Sequence, residues 1–245
     1  MSEILLFSAT STFVILGFGF MLGLKHATEA DHLAAVGTIV SERKSLWSSA
    51  LVGGLWGLGH TISLLLAGIL VLLLNFQISE KTATILEFGV GMMLLFLGLN
   101  VLRKIWQGGK IHFHTHDHGA REHTHPHLHE NKSADEANTH HGFKFSPRSL
   151  LIGMMHGLAG SSAMLLLYLP TIESNNLKLV YILIFGIGSI GGMMLMSFLV
   201  GLPFHLTASR FNQYNRLLQG VAGLVSIYFG LYLMYEQGIE SGLFG

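Results

Sequence analysis

The sequence predicts an all-α, polytopic membrane protein of about six transmembrane helices in two inverted three-helix halves. Three observations lead there. Of the 245 residues, 50% are hydrophobic and only 11% charged, against about 25% charged in soluble domains, and the mean hydropathy is +0.52. The apolar residues gather in runs of about 20, each long enough to cross a ~30 Å hydrocarbon core. The runs of the first half also share letters, at equal spacing, with those of the second.

The expected spans lie near residues 4 to 24, with a continuation toward 40, then 48 to 74, 84 to 106, 148 to 170, 178 to 202 and 214 to 236. The opening MSEILLF lacks a basic n-region and a small-residue cleavage site, so the first run reads as a span of the mature chain rather than a secretory signal. Turn and charge signals separate the runs at Ser41-Glu42-Arg43-Lys44, Gln77 to Lys81 and Arg210 to Arg216. The chain therefore divides into a first transmembrane half, 1–106, a His-rich loop, 107–147, and a second transmembrane half, 148–245.

Basic residues set the orientation. With the N-terminus outside, Arg43, Lys44, Arg103, Lys104, Lys110, Arg121, Lys132, Lys144, Arg148, Arg210 and Arg216 face the cytoplasm, and only Lys81 and Lys178 lie outside. That bias predicts both termini outside the cytoplasmic membrane and the long loop inside. Trp106 falls at a span boundary, where interfacial aromatics belong.

The internal likeness is specific in spacing. Glu87-Phe88-Gly89-Val90-Gly91 with Leu97-Gly98-Leu99 resembles Gln219-Gly220-Val221-Ala222-Gly223 with Phe229-Gly230-Leu231, and Gly23-Leu24-Lys25-His26 resembles Gly153-Met154-Met155-His156. An odd number of spans per half inverts one half relative to the other, as in many secondary transporters. The competing explanation is chance, since glycine is common in membrane helices.

The chain has no cysteine, so metal chemistry here must use nitrogen and oxygen donors. Fifteen histidines supply them, ten within the loop: His112, His114, His116, His118, His123, His125, His127, His129, His140 and His141. Too polar to form a core, the loop is expected to be disordered without metal, and its composition suits transition-metal binding without selecting the ion.

Of the remaining histidines, His26, His32, His60 and His156 are embedded in or beside spans, where ionisable residues are rare and mark sites or pathways. His205 follows Pro203 at a span end and needs no special role. The stretch Lys25-His26-Ala27-Thr28-Glu29-Ala30-Asp31-His32 is the densest. On a regular helix with His26 at zero, Glu29, His32 and Asp31 fall near roughly 300°, 240° and 140°. Asp31 then points away from the others. Residues 4 to 40 as one helix would also run about 55 Å, far beyond the membrane core. A break within 25–32 resolves both problems. The competing reading, charges at an ordinary helix end, must explain why apolar Leu33-Ala34-Ala35-Val36 comes next.

His60, within Gly57-Leu58-Gly59-His60-Thr61-Ile62-Ser63, is by itself as compatible with a hydrogen bond across a helix interface as with a site. His156 is followed by Ser161 and Ser162, which taken alone suit helix packing better than ligation. Met92, Met93, Met193, Met194 and Met196 read as packing residues.

These motifs resemble a known family. His26-Ala-Thr-Glu-Ala-Asp31-His32 is similar to the nickel/cobalt transporter signature of a histidine, four residues and then Asp-His, and Gly59-His60 with Thr61 and Ser63 is similar to its second motif. His156-Gly-Leu-Ala-Gly-Ser-Ser and the six-span length resemble the urease-accessory-type transporters of that superfamily. The resemblance implies that His26, Asp31, His32 and His60 recognise metal and that Ni²⁺ or Co²⁺ crosses the membrane. The classical permeases differ: they have more spans and an acidic, threonine-rich motif in the later half.

The resulting expectation is a carrier of a divalent transition metal, Ni²⁺ before Co²⁺, taken up across the cytoplasmic membrane. His26, His32, His60 and His156 supply nitrogen and Asp31 the anionic ligand, with Glu29, Ser161 and Ser162 as secondary candidates. The donors suit zinc as well. Efflux and a nontransporting accessory or sensor that presents metal through the loop are the alternatives. Soluble nickel-handling proteins are the partners the loop suggests, and nucleic acid is not among them. No His-Glu-x-x-His helix is present, which argues against a metalloprotease, and no resident cofactor is expected.

Overall fold

The computed structural model describes residues 2–41, 43, 45–73, 79–107, 111–117, 122–128, 147–159, 172, 174–208 and 212–243. Among the described residues the α-helices in chain order are α1 (Ser2–His26), α2 (Ala30–Val40), α3 (Leu46–Leu73), α4 (Glu80–Trp106), α5 (Pro147–Leu158), α6 (Asn175–Ala208) and α7 (Asn212–Tyr235), the last running on into a π-helical turn, Glu236–Glu240. Four described segments are long and apolar enough to cross a membrane: Leu46–Leu72, Glu80–Trp106, Asn175–Ala208 and Gln213–Glu240. Shorter apolar helices cover Thr12–His26 and Ala30–Val40. In lipid a helix satisfies its own backbone donors and acceptors, which is why these apolar runs take that form.

The helix ends obey local chemistry. Ser79 caps α4, its side chain accepting from the Thr82 amide at 3.2 Å. Glu80 in the first turn and Arg103 and Lys104 in the last oppose the helix dipole with the right signs. Trp106 ends α4 exposed, as an interfacial residue should be.

The break expected within 25–32 falls at Ala27–Glu29, which separates α1 from α2 in the first apolar run. The span expected at 148–170 is helical over Pro147–Leu158, and 160–171 lies outside the described residues. Within the His-rich loop the structure describes an antiparallel hairpin, β1 (Ile111–Asp117) with β2 (Glu122–Leu128), in which His112 pairs with His127, His114 with His125 and His116 with His123. Low apolar content excludes a core but not a local strand pair, and alternating Thr and Phe among the histidines favours the pleat. His118, His129, His140 and His141 lie outside the described residues.

Close helix packing rests on small residues. A side chain on Gly23 of α1 would strike the Phe185 carbonyl of α6, and one on Gly153 of α5 would strike the Trp56 carbonyl of α3. Between α3 and α6, Gly57 lies against Ile190 and Gly186 against Thr61, whose hydroxyl donates to the Gly57 carbonyl at 2.8 Å and the Gly186 carbonyl at 3.2 Å. Between α4 and α7, Gly91 meets Gly230, Gly98 meets Gly223, and Ser226 donates to the Leu94 carbonyl at 2.8 Å. Without a hydrophobic drive between helices in lipid, such backbone approach and hydrogen bonding carry association. The outward faces, with Phe13, Phe96, Leu195 and Leu217, are apolar and exposed.

Candidate metal centre

The site forms where α1 stops. The Thr28 and Glu29 amides donate to the Lys25 and His26 carbonyls at 2.9 and 3.1 Å, a tightened last turn, and the Thr28 hydroxyl adds a bond to Lys25 O at 2.6 Å. Glu29 is then extended, with φ −65° and ψ 149°, and α2 restarts as Leu33 N bonds Glu29 O. This unwound turn breaks the 100° periodicity that would have turned Asp31 away. His26 closes α1, while Asp31 and His32 open α2.

The neighbouring helices complete the cluster. His60 is deep in α3 and His156 near the end of α5, and all four histidines are at most 2% exposed. Ring centroids of His26 lie 4.4 Å from His32 and 5.1 Å from His60; His32 lies 5.5 Å from His60 and 4.1 Å from His156. One donor atom from each of His26, His32 and His60 falls within 4.8 Å of the others. Nitrogen donors bonded at about 2.1 Å to one ion sit roughly 3.5 Å apart, so the three rings need approach by only about 1.3 Å.

Hydrogen bonding divides the ring nitrogens into two kinds. Asp31 Oδ1 lies 3.0 Å from His32 Nδ1 and accepts the His32 amide at 2.8 Å, and Asp31 Oδ2 lies 2.9 Å from His156 Nε2. Both nitrogens of His26 and of His60, His32 Nε2 and His156 Nδ1 are buried without a hydrogen bond. Glu29 Oε2 is 3.0 Å from His26 Nδ1, within ion-pair distance but out of line for a hydrogen bond. Leaving a buried polar atom unpaired costs about 1–3 kcal/mol. A neutral imidazole carries one lone pair and one N–H, so each of the four rings has at most one nitrogen to offer an ion, and lone pairs on buried imidazoles suit a borderline metal ion.

The expected residues thus meet unequally. His26, Asp31, His32, His60 and His156 come together, and Glu29 stands at the rim, about one-third exposed. Ser161 and Ser162 lie outside the described residues. Two aromatics that motif reading passed over flank the cluster. Trp56 stacks on His32 at 5.4 Å and 28° and meets His156 edge-on at 5.6 Å, and Phe185 lies 5.7 Å from His26. Trp56 could have been found, since it precedes His60 by one helical turn; nothing in the sequence marks Phe185. A cavity of about 230 Å³ between α2, α4 and α5, lined by Thr38, Arg43, Asn100, Arg148 and Ser149, touches none of the histidines.

Residues 12–232 match NicO, described as high-affinity nickel-transport protein. The chain is 40% identical over 230 residues to the urease accessory protein UreH of Bacillus sp. (strain TB-90), covering 94% of each chain. It is 26% identical over 221 residues to the chloroplast protein FOR GROWTH AND FERTILITY 2 of Arabidopsis thaliana, covering 89% of this chain and 55% of that one. Over 76 residues it is 33% identical to a high-affinity nickel transport protein of Cupriavidus necator, 31% of this chain and 21% of that one. No solved structure matches. The resemblance drawn from the histidine motifs therefore holds over nearly the whole sequence: this chain belongs to the NicO family, a family of membrane transporters rather than enzymes.

Proposed function

We propose that the protein carries Ni²⁺, and less readily Co²⁺, into the cell across the cytoplasmic membrane. The single observation that carries this reading is the meeting of four buried histidines from α1, α2, α3 and α5 around an unwound turn, each with at least one ring nitrogen left without a hydrogen bond. His26, His32, His60 and His156 bind the ion, with the Asp31 carboxylate against the rings of His32 and His156 and Glu29 at the rim. The family and a relative named as a high-affinity nickel transport protein favour nickel over other ions that imidazole accepts.

Six spans in two inverted halves, 1–106 and 148–245, provide the two exposures a carrier needs. Packing supports the symmetry, because contacts recur when the halves are exchanged. Gly23 on Phe185 O corresponds to Gly153 on Trp56 O, and Gly91 on Gly230 corresponds to Gly223 on Gly98. His26 beside Phe185 likewise corresponds to His156 beside Trp56. Both termini lie outside, and the His-rich segment 107–147 gathers metal on the cytoplasmic side for soluble nickel-handling proteins.

Reconstituted vesicles test this directly, with Ni²⁺, Co²⁺ and Zn²⁺ flux measured in both directions. Parent protein should move Ni²⁺, and His26→Ala and His60→Ala should bring flux to background. Near-parental flux in both variants would remove the site. Loss of the protein from cells should lower their nickel; a rise would reverse the direction.

A further inference from the structure

Asp31 has the one carboxylate within hydrogen-bond reach of two of the site's rings, which makes it the obvious anionic ligand. Its contacts argue otherwise. A carboxylate only accepts hydrogen bonds, so the facing atoms, His32 Nδ1 at 3.0 Å and His156 Nε2 at 2.9 Å, must both carry protons. That assigns the tautomers from the network. The lone pairs then sit on His32 Nε2 and His156 Nδ1, and these are the two atoms of those rings left buried without a partner. Asp31, His32 and His156 do cluster as a metal group might, but their mutual hydrogen bonds already account for that closeness. The group of His26, His32 and His60 has no such explanation, since no ring nitrogen bonds another within it.

We infer that Asp31 is a positioning residue that holds the protons of His32 Nδ1 and His156 Nε2, so that the two rings aim lone pairs at an ion bound by four imidazoles and no carboxylate. This rests on the transport site proposed above and deepens it. A carboxylate that orients a ligating histidine through its second nitrogen raises the ligand's basicity and fixes its rotation. Because Asp31 opens α2 in the first half and His156 lies on α5 in the second, the same carboxylate ties the two halves at the ion. The donor set also determines selectivity: neutral imidazoles suit Ni²⁺, Co²⁺, Zn²⁺ and Cu²⁺, whereas Mg²⁺ and Mn²⁺ prefer oxygen.

Trp56, stacked on His32, is a built-in reporter. In the full chain with Trp47→Phe and Trp106→Phe, both at exposed positions, added Ni²⁺ should quench the remaining emission, and the loop histidines, left intact, should not contribute to it. Asp31→Asn keeps the shape but replaces one accepting oxygen with a donor, and should weaken Ni²⁺ binding by about 10- to 100-fold. In the His156→Ala background its effect should shrink, because part of its action runs through that ring. X-ray absorption at the nickel edge, with the His26→Ala/His60→Ala double variant subtracting the loop ions, should count four imidazoles in the parent and fewer in Asp31→Asn. An unchanged imidazole count with fully additive affinity losses would make Asp31 a direct ligand and overturn the inference. Should Asp31→Asn fail to fold, Asp31→Glu decides: it retains a ligating charge but displaces both hydrogen bonds, so a positioning role predicts weak binding and a ligand role near-parental binding. Quenching untouched in the His26→Ala/His60→Ala variant would instead sink the transport site itself, a result distinct from any Asp31 outcome.

Discussion

Trp56 has no ligating atom, yet it packs against two rings of the candidate metal centre. It is 1% exposed, lies flat against His32 and edge-on to His156, and its carbonyl abuts Gly153. Truncating a buried aromatic costs about 3–5 kcal/mol. Trp56→Ala should therefore lower the melting temperature of the detergent-purified protein and weaken Ni²⁺ retention together, whereas Trp56→Phe, which keeps a ring, should do less of both. Retained binding in a destabilised Trp56→Ala protein would confine the residue to packing. Candidate polar residues were legible in the sequence because a histidine or carboxylate is costly in an apolar run, and cost draws attention. Trp56 and Phe185 were not, because an aromatic in an apolar span is what packing alone would supply.

At the scale of elements, the gap between α1 and α2 was legible for a similar reason: one continuous helix over residues 4 to 40 was too long for the bilayer and turned Asp31 the wrong way. The hairpin Ile111–Asp117 with Glu122–Leu128 was not legible. Composition says whether a segment can build a core, and strand pairing does not require one. Glycines give the element scale its own test. Those that let α5 approach α3 hold His156 beside His32. A methyl on Gly153 would strike the Trp56 carbonyl, while one on Gly89 of α4 would meet nothing within 4 Å. Gly153→Ala should thus lower thermal stability and Ni²⁺ binding. Gly89→Ala should be neutral or raise stability by up to about 1 kcal/mol, the intrinsic helical advantage of alanine. Equal effects in thermal melts would mean that close backbone approach does not set the spacing of the site.

For the whole molecule, the decisive quantity is how many times the chain crosses the membrane, because an inverted pair of halves exists only if each half crosses an odd number of times. The four long apolar helices alone leave this open, and the proposed six crossings need α1 with α2, and the segment that begins with α5, to supply the remainder. The chain contains no cysteine, so a single introduced cysteine is its one thiol, and labelling done on intact cells can be read on the purified protein. Ser79, Ser174 and Ser241 lie between or beyond helices, and the proposed topology puts them on the side the basic residues avoid and Ser45 and Thr115 on the side they favour. With six crossings, a membrane-impermeant thiol reagent added outside should label Ser79→Cys, Ser174→Cys and Ser241→Cys, and reach Ser45→Cys and Thr115→Cys only after permeabilisation. If the segment from α5 to Ser174 failed to cross, Ser174→Cys would join Thr115→Cys in protection and Ser241→Cys would move inside with it, while Ser79→Cys stayed labelled. That pattern would abolish the inversion and with it the exchange of Gly23 on Phe185 for Gly153 on Trp56 as a symmetry of the fold. Complete reversal of all five would preserve the inverted halves but turn the histidine-rich segment outward, converting it from a cytoplasmic receiver of metal into an external collector.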